Sequence, residues 1–144
     1  MPSPITCALR GTRLGSYLYK NQCWKKEEST FDVERVDCVP GAFLAVNITN
    51  FLEIGGYDES VFLYWEESII GAKAKEKGFS TVLLTNDYYL HEHSVSINKS
   101  IPQKKRQMEI LYTSRLYFLK EYLHSKAFVI QLAKLVQKRR LRKM

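Results

Sequence analysis

The sequence predicts an α/β fold, in which an incomplete mixed sheet is followed by an amphipathic helical tail. Short apolar runs rich in β-branched residues flank a stretch with helical spacing, which gives the order strand, helix, strand. From Gln103 onward the apolar residues recur with a helical period. The chain has 144 residues, of which 45% are hydrophobic, and this is enough for one globular domain.

Composition and charge divide the chain into three segments. Residues 1–35 are polar and show no sustained period, so we expect an irregular N-terminal segment. Residues 36–100 carry the strand and helix patterns, and residues 101–144 form a basic helical tail. Residues 1–100 hold 10 Lys and Arg against 13 Asp and Glu (−3), whereas the tail holds 12 against 2 (+10), and together they give the net charge of +7. The excess positive charge therefore lies in the tail.

The beginning of the middle segment predicts two strands joined by a turn. Val36–Val39 and Gly41–Val46 are apolar and flank a Pro-Gly break, so we expect a strand, a turn and a buried strand. Further on, Gly55 and Gly56 form a pair that can adopt positive φ and reverse the chain sharply. This turn positions the residues that follow it.

A short helix and a strand are predicted after the turn. Residues 66–77 have helical spacing, with Gly78 where a C-cap glycine is expected. Residues 79–85 form an apolar strand, and residues 88–90 form a second extended piece that leads to His91. The apolar face of the helix consists of Ile69, Ile70 and Ala74.

The tail predicts two amphipathic helices. Apolar residues recur at helical spacing along each of them. The stripe of the first helix consists of Met108, Tyr112, Leu116, Leu119 and Leu123, and that of the second consists of Val129, Ile130, Ala133 and Val136.

Two adjacent carboxylates, Glu66 and Glu67, occupy the first turn of the predicted middle helix. Unpaired backbone N–H groups and the helix dipole favour the ionised carboxylate there, which is the form that a general base requires. Tyr64 and Trp65 precede them and offer flat apolar faces suited to the C–H face of a sugar ring. The alternative is structural, with the acids stabilising a helix start and the aromatic residues filling a core.

Several ordered motifs in residues 36–96 resemble bacterial glycosyltransferase family 2, whose members are inverting enzymes with a GT-A fold. The resemblance covers the acceptor-side half of the catalytic domain, and it implies a hexosyltransferase-like enzyme with a partial GT-A-like sheet. The motifs are Pro40-Gly41-Ala42-Phe43, Ile54-Gly55-Gly56-Tyr57-Asp58-Glu59, Phe62-Leu63-Tyr64-Trp65-Glu66-Glu67, Lys77-Gly78-Phe79 and His91-Glu92-His93-Ser94-Val95-Ser96.

The resemblance implies a role for individual residues. Glu67, with Glu66 beside it, stands at the position of the catalytic base that takes the proton from an acceptor hydroxyl. Gly41 and Ala42 line the donor-sugar pocket, Asp58 supports the turn beneath it, and His91 stands where some relatives place a metal ligand. Tyr64 and Trp65 complete the predicted substrate-binding set.

The donor-binding half is not part of the resemblance, because only 35 residues precede the matched block. The complete enzyme is expected to use a divalent metal, Mn or Mg, to neutralise the leaving diphosphate. We therefore expect a truncated protein of polysaccharide biosynthesis that is catalytic only together with a nucleotide-binding half. The alternative is a non-catalytic remnant, which would act as a membrane or partner interaction module.

The expected partners follow from these interpretations. They are a nucleotide-sugar donor and a glycan or polyprenyl-linked acceptor. The basic tail predicts adsorption to an anionic membrane surface, in preference to nucleic acid, because no nucleic-acid motif accompanies the charge. We expect a cytoplasmic protein that is peripheral on the inner face of the cell membrane. A sheet cut before its nucleotide-binding strands leaves an unpaired edge, so we also expect homo-oligomers.

Overall fold

The computed structural model describes residues 1–21, 32–90 and 95–144, which divide into two compact units. The first unit contains Met1 and residues 32–61 and 65–90, and the second contains residues 2–21, 62–64 and 95–144. The described residues combine α-helices with a small antiparallel sheet. The coarse prediction of mixed helix and strand is therefore confirmed.

The sheet of the first unit has two strands, β1 (Val33–Val36) and β2 (Thr81–Leu84). They pair antiparallel, with Val33 opposite Leu84. Since side chains alternate along a strand, these two residues lie on one face of the sheet, and they are 50% and 57% exposed. The predicted strand over residues 79–85 is thus confirmed at Thr81–Leu84, whereas the first strand lies earlier than the predicted Val36–Val39.

The predicted buried strand at residues 41–46 is wrong. The structure has a turn and irregular backbone there, and most of these residues are exposed. The backbone N–H of Gly41 bonds to a side chain of a helix instead of a neighbouring strand. Residues 44–46 line a cavity, so their apolar character reflects that wall and not a strand buried on both faces.

Two helices complete the first unit. Helix α3 (Ile48–Glu53) begins at Asn47, whose side chain accepts a hydrogen bond from the Asn50 N–H, and it leads into the predicted glycine turn. Both turn glycines have positive φ, which confirms the turn: 74° at Gly55 and 60° at Gly56. Helix α4 (Glu66–Glu76) is the predicted middle helix.

Helix α4 has the predicted apolar face and the predicted end. Ile69 and Ile70 are buried and Ala74 is half-buried. Gly78 follows the C-cap Lys77 with a φ of 77°, a conformation that favours glycine. Helical periodicity and the C-terminal glycine together predicted this element correctly.

Helix α4 lies very close to the segment that follows β1. A Cβ atom at Gly71 would overlap the carbonyl oxygen of Asp37, so only glycine allows this approach. The Lys75 Nζ lies 2.8 Å from the Asp37 Oδ1, and the amino group of Met1 also pairs with the Asp37 carboxylate. Packing and charge thus fix the segment against the helix.

The prediction of an irregular N-terminal segment over residues 1–35 is wrong for residues 1–21, because helices α1 (Pro4–Leu9) and α2 (Arg13–Lys20) form there, while residues 22–31 lie outside the described residues. The side chain of Ser3 caps α1 by accepting from the Thr6 N–H, and Thr12 caps α2 by accepting from the Gly15 N–H. Helices this short show too few turns for a period to be recognised. The capping residues Ser3 and Thr12 were the sequence signal that could have predicted these helices.

The tail is helical as predicted. After α5 (Val95–Ser100), helix α6 (Lys104–Tyr117) continues into a π-helical turn at Phe118–Tyr122, and α7 (Ala127–Leu141) follows. The Gln137 Nε2 donates a hydrogen bond to the carbonyl of Tyr112, which ties α7 to α6. The buried residues of the two predicted stripes are Tyr112, Leu119, Val129 and Ala133, while the others are half-buried.

A buried arginine lies at the centre of the second unit. Arg115 has 0% exposure, and its Nη1 donates to the carbonyls of Cys7 (3.3 Å) and Arg10 (2.8 Å) at the end of α1. Its guanidinium carbon also lies 4.9 Å from the ring centroid of Tyr112. Burial lowers the pKa of Arg115 to about 10, so the side chain stays charged at neutral pH. The N-terminal helices are thereby joined to the tail.

We predict that Gly71→Ala destabilises the chain by about 2 kcal/mol, because the added methyl group overpacks the contact with Asp37. Helix propensity alone would stabilise the alanine variant by about 1 kcal/mol, so the clash reverses the sign. Urea unfolding measures the difference. The control variant Ala72→Gly, at the next residue of α4, measures the effect of helix propensity alone in the same helix. A more stable Gly71→Ala chain would contradict the close approach.

Candidate functional site

The start of α4 has an unusual backbone. Tyr64 and Trp65 both have positive φ, 66° and 73°, and Trp65 occupies the N-cap position without a capping side chain. This left-handed conformation costs a non-glycine residue about 1–2 kcal/mol. With no cap, the first N–H groups of the helix favour nearby negative charge, and Glu66 and Glu67 occupy this first turn.

The carboxylate of Glu67 is held by the backbone of Gly41, which the resemblance places in the donor-sugar pocket. The Gly41 N–H donates to its Oε1 over 3.0 Å. A Cβ atom at residue 41 would overlap that oxygen, so any larger residue there would displace the Glu67 side chain. The structure therefore brings together two residues that the sequence analysis placed in one site.

Glu67 also forms part of the wall of a cavity of about 170 Å³ in the first unit. Apolar side chains from α3, α4 and residues 44–46 make up most of the wall. Asn47, Asn50 and Thr81 add polar groups. The arrangement can therefore hold a small neutral molecule with its hydroxyl groups near a carboxylate.

The other predicted site residues lie in different surroundings. Ala42 is exposed beside Gly41, and the Asp58 Oδ1 accepts from the Ser60 N–H over 2.9 Å, which stabilises the turn before α4. Trp65 is 7% exposed and belongs to the core of the first unit. Tyr64 is half-buried and is assigned to the second unit.

His91, the predicted metal ligand, lies outside the described residues. Among the described residues, no group of three or more His, Cys, Asp and Glu side chains could hold a metal ion. The Mn or Mg requirement therefore stays a prediction.

Lys73 was missed as a residue that supports the site. Its Nζ donates to the carbonyls of Gly55 (3.3 Å) and Gly56 (2.7 Å), which ties the glycine turn to α4. Its place four residues after Ile69, on the same side of the helix, was the signal that could have found it.

Comparison of the chain with known protein families, curated proteins and solved structures finds no match. In the part of the chain that the structure describes, every helix is too short or too polar to cross a bilayer. The interpretation of the site therefore depends on its geometry and on the sequence motifs.

We predict that Glu67→Ala lowers the free energy of unfolding by about 1 kcal/mol more than Glu66→Ala does. Both changes remove a carboxylate from the same first turn, so the difference isolates the hydrogen bond from Gly41. Urea unfolding at neutral pH gives both values. Equal losses would show that the bond contributes nothing in solution.

Proposed function

We propose that this chain is the acceptor-side portion of an inverting glycosyltransferase of family 2 type. The observation that supports this most directly is the Glu67 carboxylate, which the Gly41 N–H holds in the wall of a cavity. The ordered motifs of residues 36–96 give the same assignment by resemblance.

In the proposed reaction, Glu67 acts as the general base. The Gly41 N–H occupies Oε1, so Oε2 is the oxygen that accepts the proton of an acceptor hydroxyl. As the acceptor hydroxyl loses its proton, its oxygen attacks the anomeric carbon of the donor sugar, and the bond from that carbon to the diphosphate oxygen breaks. The bond electrons leave with the diphosphate, and attack from the opposite side inverts the configuration.

The size of the cavity supports the acceptor-side assignment. Pockets for larger ligands usually measure about 300–1,000 Å³, whereas this cavity measures about 170 Å³. It suits one sugar unit better than a nucleotide sugar. The proposal therefore assigns the nucleotide-sugar donor, and any divalent metal, to a separate donor-binding half.

We place the reaction at the inner face of the cell membrane, where a glycan or polyprenyl-linked acceptor would be presented. The support for this is the excess of basic residues in the tail, since each basic residue near an anionic surface contributes about 1 kcal/mol of attraction.

Acceptor binding tests the proposal in the chain as it exists. Titration with methyl glycosides of common hexoses is followed by amide chemical shifts. We expect one or more glycosides to shift the amides of Gly41 and Glu67, and Glu67→Ala to weaken binding by about tenfold. The control is Glu76→Ala, in the last turn of the same helix. If no glycoside shifts these amides, the proposal is wrong.

Calorimetric titration with nucleoside diphosphate sugars and Mn²⁺ tests whether the chain also acts alone. If nucleoside diphosphate is released and Glu67→Gln slows the release by about a hundredfold or more, the chain is an independent enzyme. Acceptor binding without release supports the acceptor-side portion.

A second candidate function, a partner interaction module, is supported by the exposed face of the sheet. Val33 and Leu84 lie opposite each other there, and each remains about half exposed among the described residues. Apolar faces of this kind often mark association surfaces. A second copy of the chain is the partner that the sequence analysis predicts.

We predict that the chain associates in solution and that the pair Val33→Ser and Leu84→Ser lowers its mass in light scattering to that of a monomer. The serine side chains remove the apolar surface that two copies of the chain would bury against each other, while the strands stay exposed to water. The control pair is Leu14→Ser and Tyr17→Ser, which are equally exposed residues of the second unit. A monomeric wild-type chain would exclude self-association through this face.

A further inference from the structure

A basic groove lies between the start of α6 and the end of α7. Its volume is about 650 Å³, and it is open to solvent. Four of its lining residues are cationic and none is acidic. They are Lys105, Lys134, Lys138 and Arg142, and the remaining lining residues are Gln137, Leu141 and Met144.

No carboxylate in the described part of the chain forms an ion pair with any of the four cations. Two neighbouring cations of α6 do have polar partners. The Lys104 Nζ donates to the Asn98 side chain (2.6 Å), and Arg106 pairs with Glu109 (3.5 Å). Lys134, Lys138 and Arg142 follow one another at intervals of four residues and share one side of α7. Like charges at this spacing destabilise a helix, so an external anion would relieve a cost that the described residues leave uncompensated.

Helix stability explains only part of this arrangement. Cations in the last turn of a helix interact favourably with its dipole, and this covers Lys138 and Arg142 near the end of α7. Lys105 is in the first turn of α6, where the dipole disfavours a cation, and no acidic residue accompanies it there. Its own helix therefore does not stabilise the charge of Lys105, whereas an anion in the groove would.

Exposed apolar residues beside the groove indicate what kind of anion fits. Leu135 precedes Lys138 by three residues and Arg142 by seven, so it shares their side of α7. Leu135 is 66% exposed, and Phe128, two turns earlier on the same side, is 60% exposed. Cations and exposed apolar side chains on one face can meet an anionic membrane together, because the long lysine and arginine side chains reach the phosphates while the apolar side chains enter the interface. Single-stranded nucleic acid would use the cations and Phe128, on which bases stack, but not Leu135.

We propose that the groove binds the phosphate headgroups of anionic lipids while Phe128 and Leu135 enter the interface beside it. This deepens the membrane part of the proposed function and rests on it. It names four cations that contact the lipid, whereas the proposed function attributes the attraction to the basic tail as a whole. Lys105, Lys134, Lys138 and Arg142 hold the headgroup phosphates, and the outer side of α7 faces the bilayer.

Vesicle sedimentation of the full chain tests the inference without any sugar donor, so its failure leaves sugar transfer untouched. We expect the chain to bind phosphatidylcholine vesicles only when they contain phosphatidylglycerol. The pair Lys134→Gln and Lys138→Gln should weaken partitioning by roughly tenfold or more. The control pair Lys20→Gln and Lys99→Gln removes the same charge from exposed lysines elsewhere in the second unit, and it should cost much less.

A second pair of variants separates lipid from other polyanions. Phe128→Ser and Leu135→Ser should weaken vesicle binding several-fold while leaving the net charge unchanged. Binding of a labelled single-stranded oligonucleotide is measured by anisotropy in parallel. Equal losses from the groove pair and the control pair would overturn the proposal. So would an oligonucleotide that binds tightly through the groove lysines while the vesicles do not bind.

Discussion

The close approach of α4 to the segment from Asp37 to Gly41 is the constraint on which the first unit depends. Glycine is required at Gly71, where a methyl group would overlap the Asp37 carbonyl, whereas a methyl group at Gly41 would displace the Glu67 side chain. The two contacts lie at opposite ends of one short interface. They place the Glu67 side chain in the cavity wall, and any change that separated the helix from the segment would move the carboxylate too.

The elements that the sequence predicted correctly are those specified by neighbouring residues. Helix α4 has its buried residues at helical spacing and a glycine after its C-cap, and α7 has Val129 and Ala133 on one side. Strand pairing joins distant parts of the chain and leaves no local pattern. The first strand was therefore predicted at Val36–Val39, three residues after its true start at Val33. The loop at residues 41–46 was misread because an apolar run has the same composition whether it lines a cavity or pairs in a sheet.

The sequence predicted which residues belong to the candidate site better than it predicted the contacts between them. The resemblance named Glu67 and Gly41, yet no local pattern joins residues 26 positions apart, and their hydrogen bond is visible only in the fold. Trp65 shows the opposite case. An aromatic residue beside a carboxylate suits a sugar platform or a core equally well in sequence, and burial decides that its side chain contributes to the core.

The burial of Trp65 also explains how the start of α4 is held in place. The left-handed backbone of Tyr64 and Trp65 costs about 1–2 kcal/mol for each residue, and no side chain caps the helix to offset it. Burying the large apolar side chain of Trp65 contributes about 1.5–3 kcal/mol, which offsets most of this cost. Glycine would relieve the strain but would lose the indole packing, and serine would cap the helix but leave a cavity. The position of the Glu67 carboxylate is therefore set at two points, by the core packing of Trp65 two residues earlier and by the contact of α4 with the segment from Asp37 to Gly41.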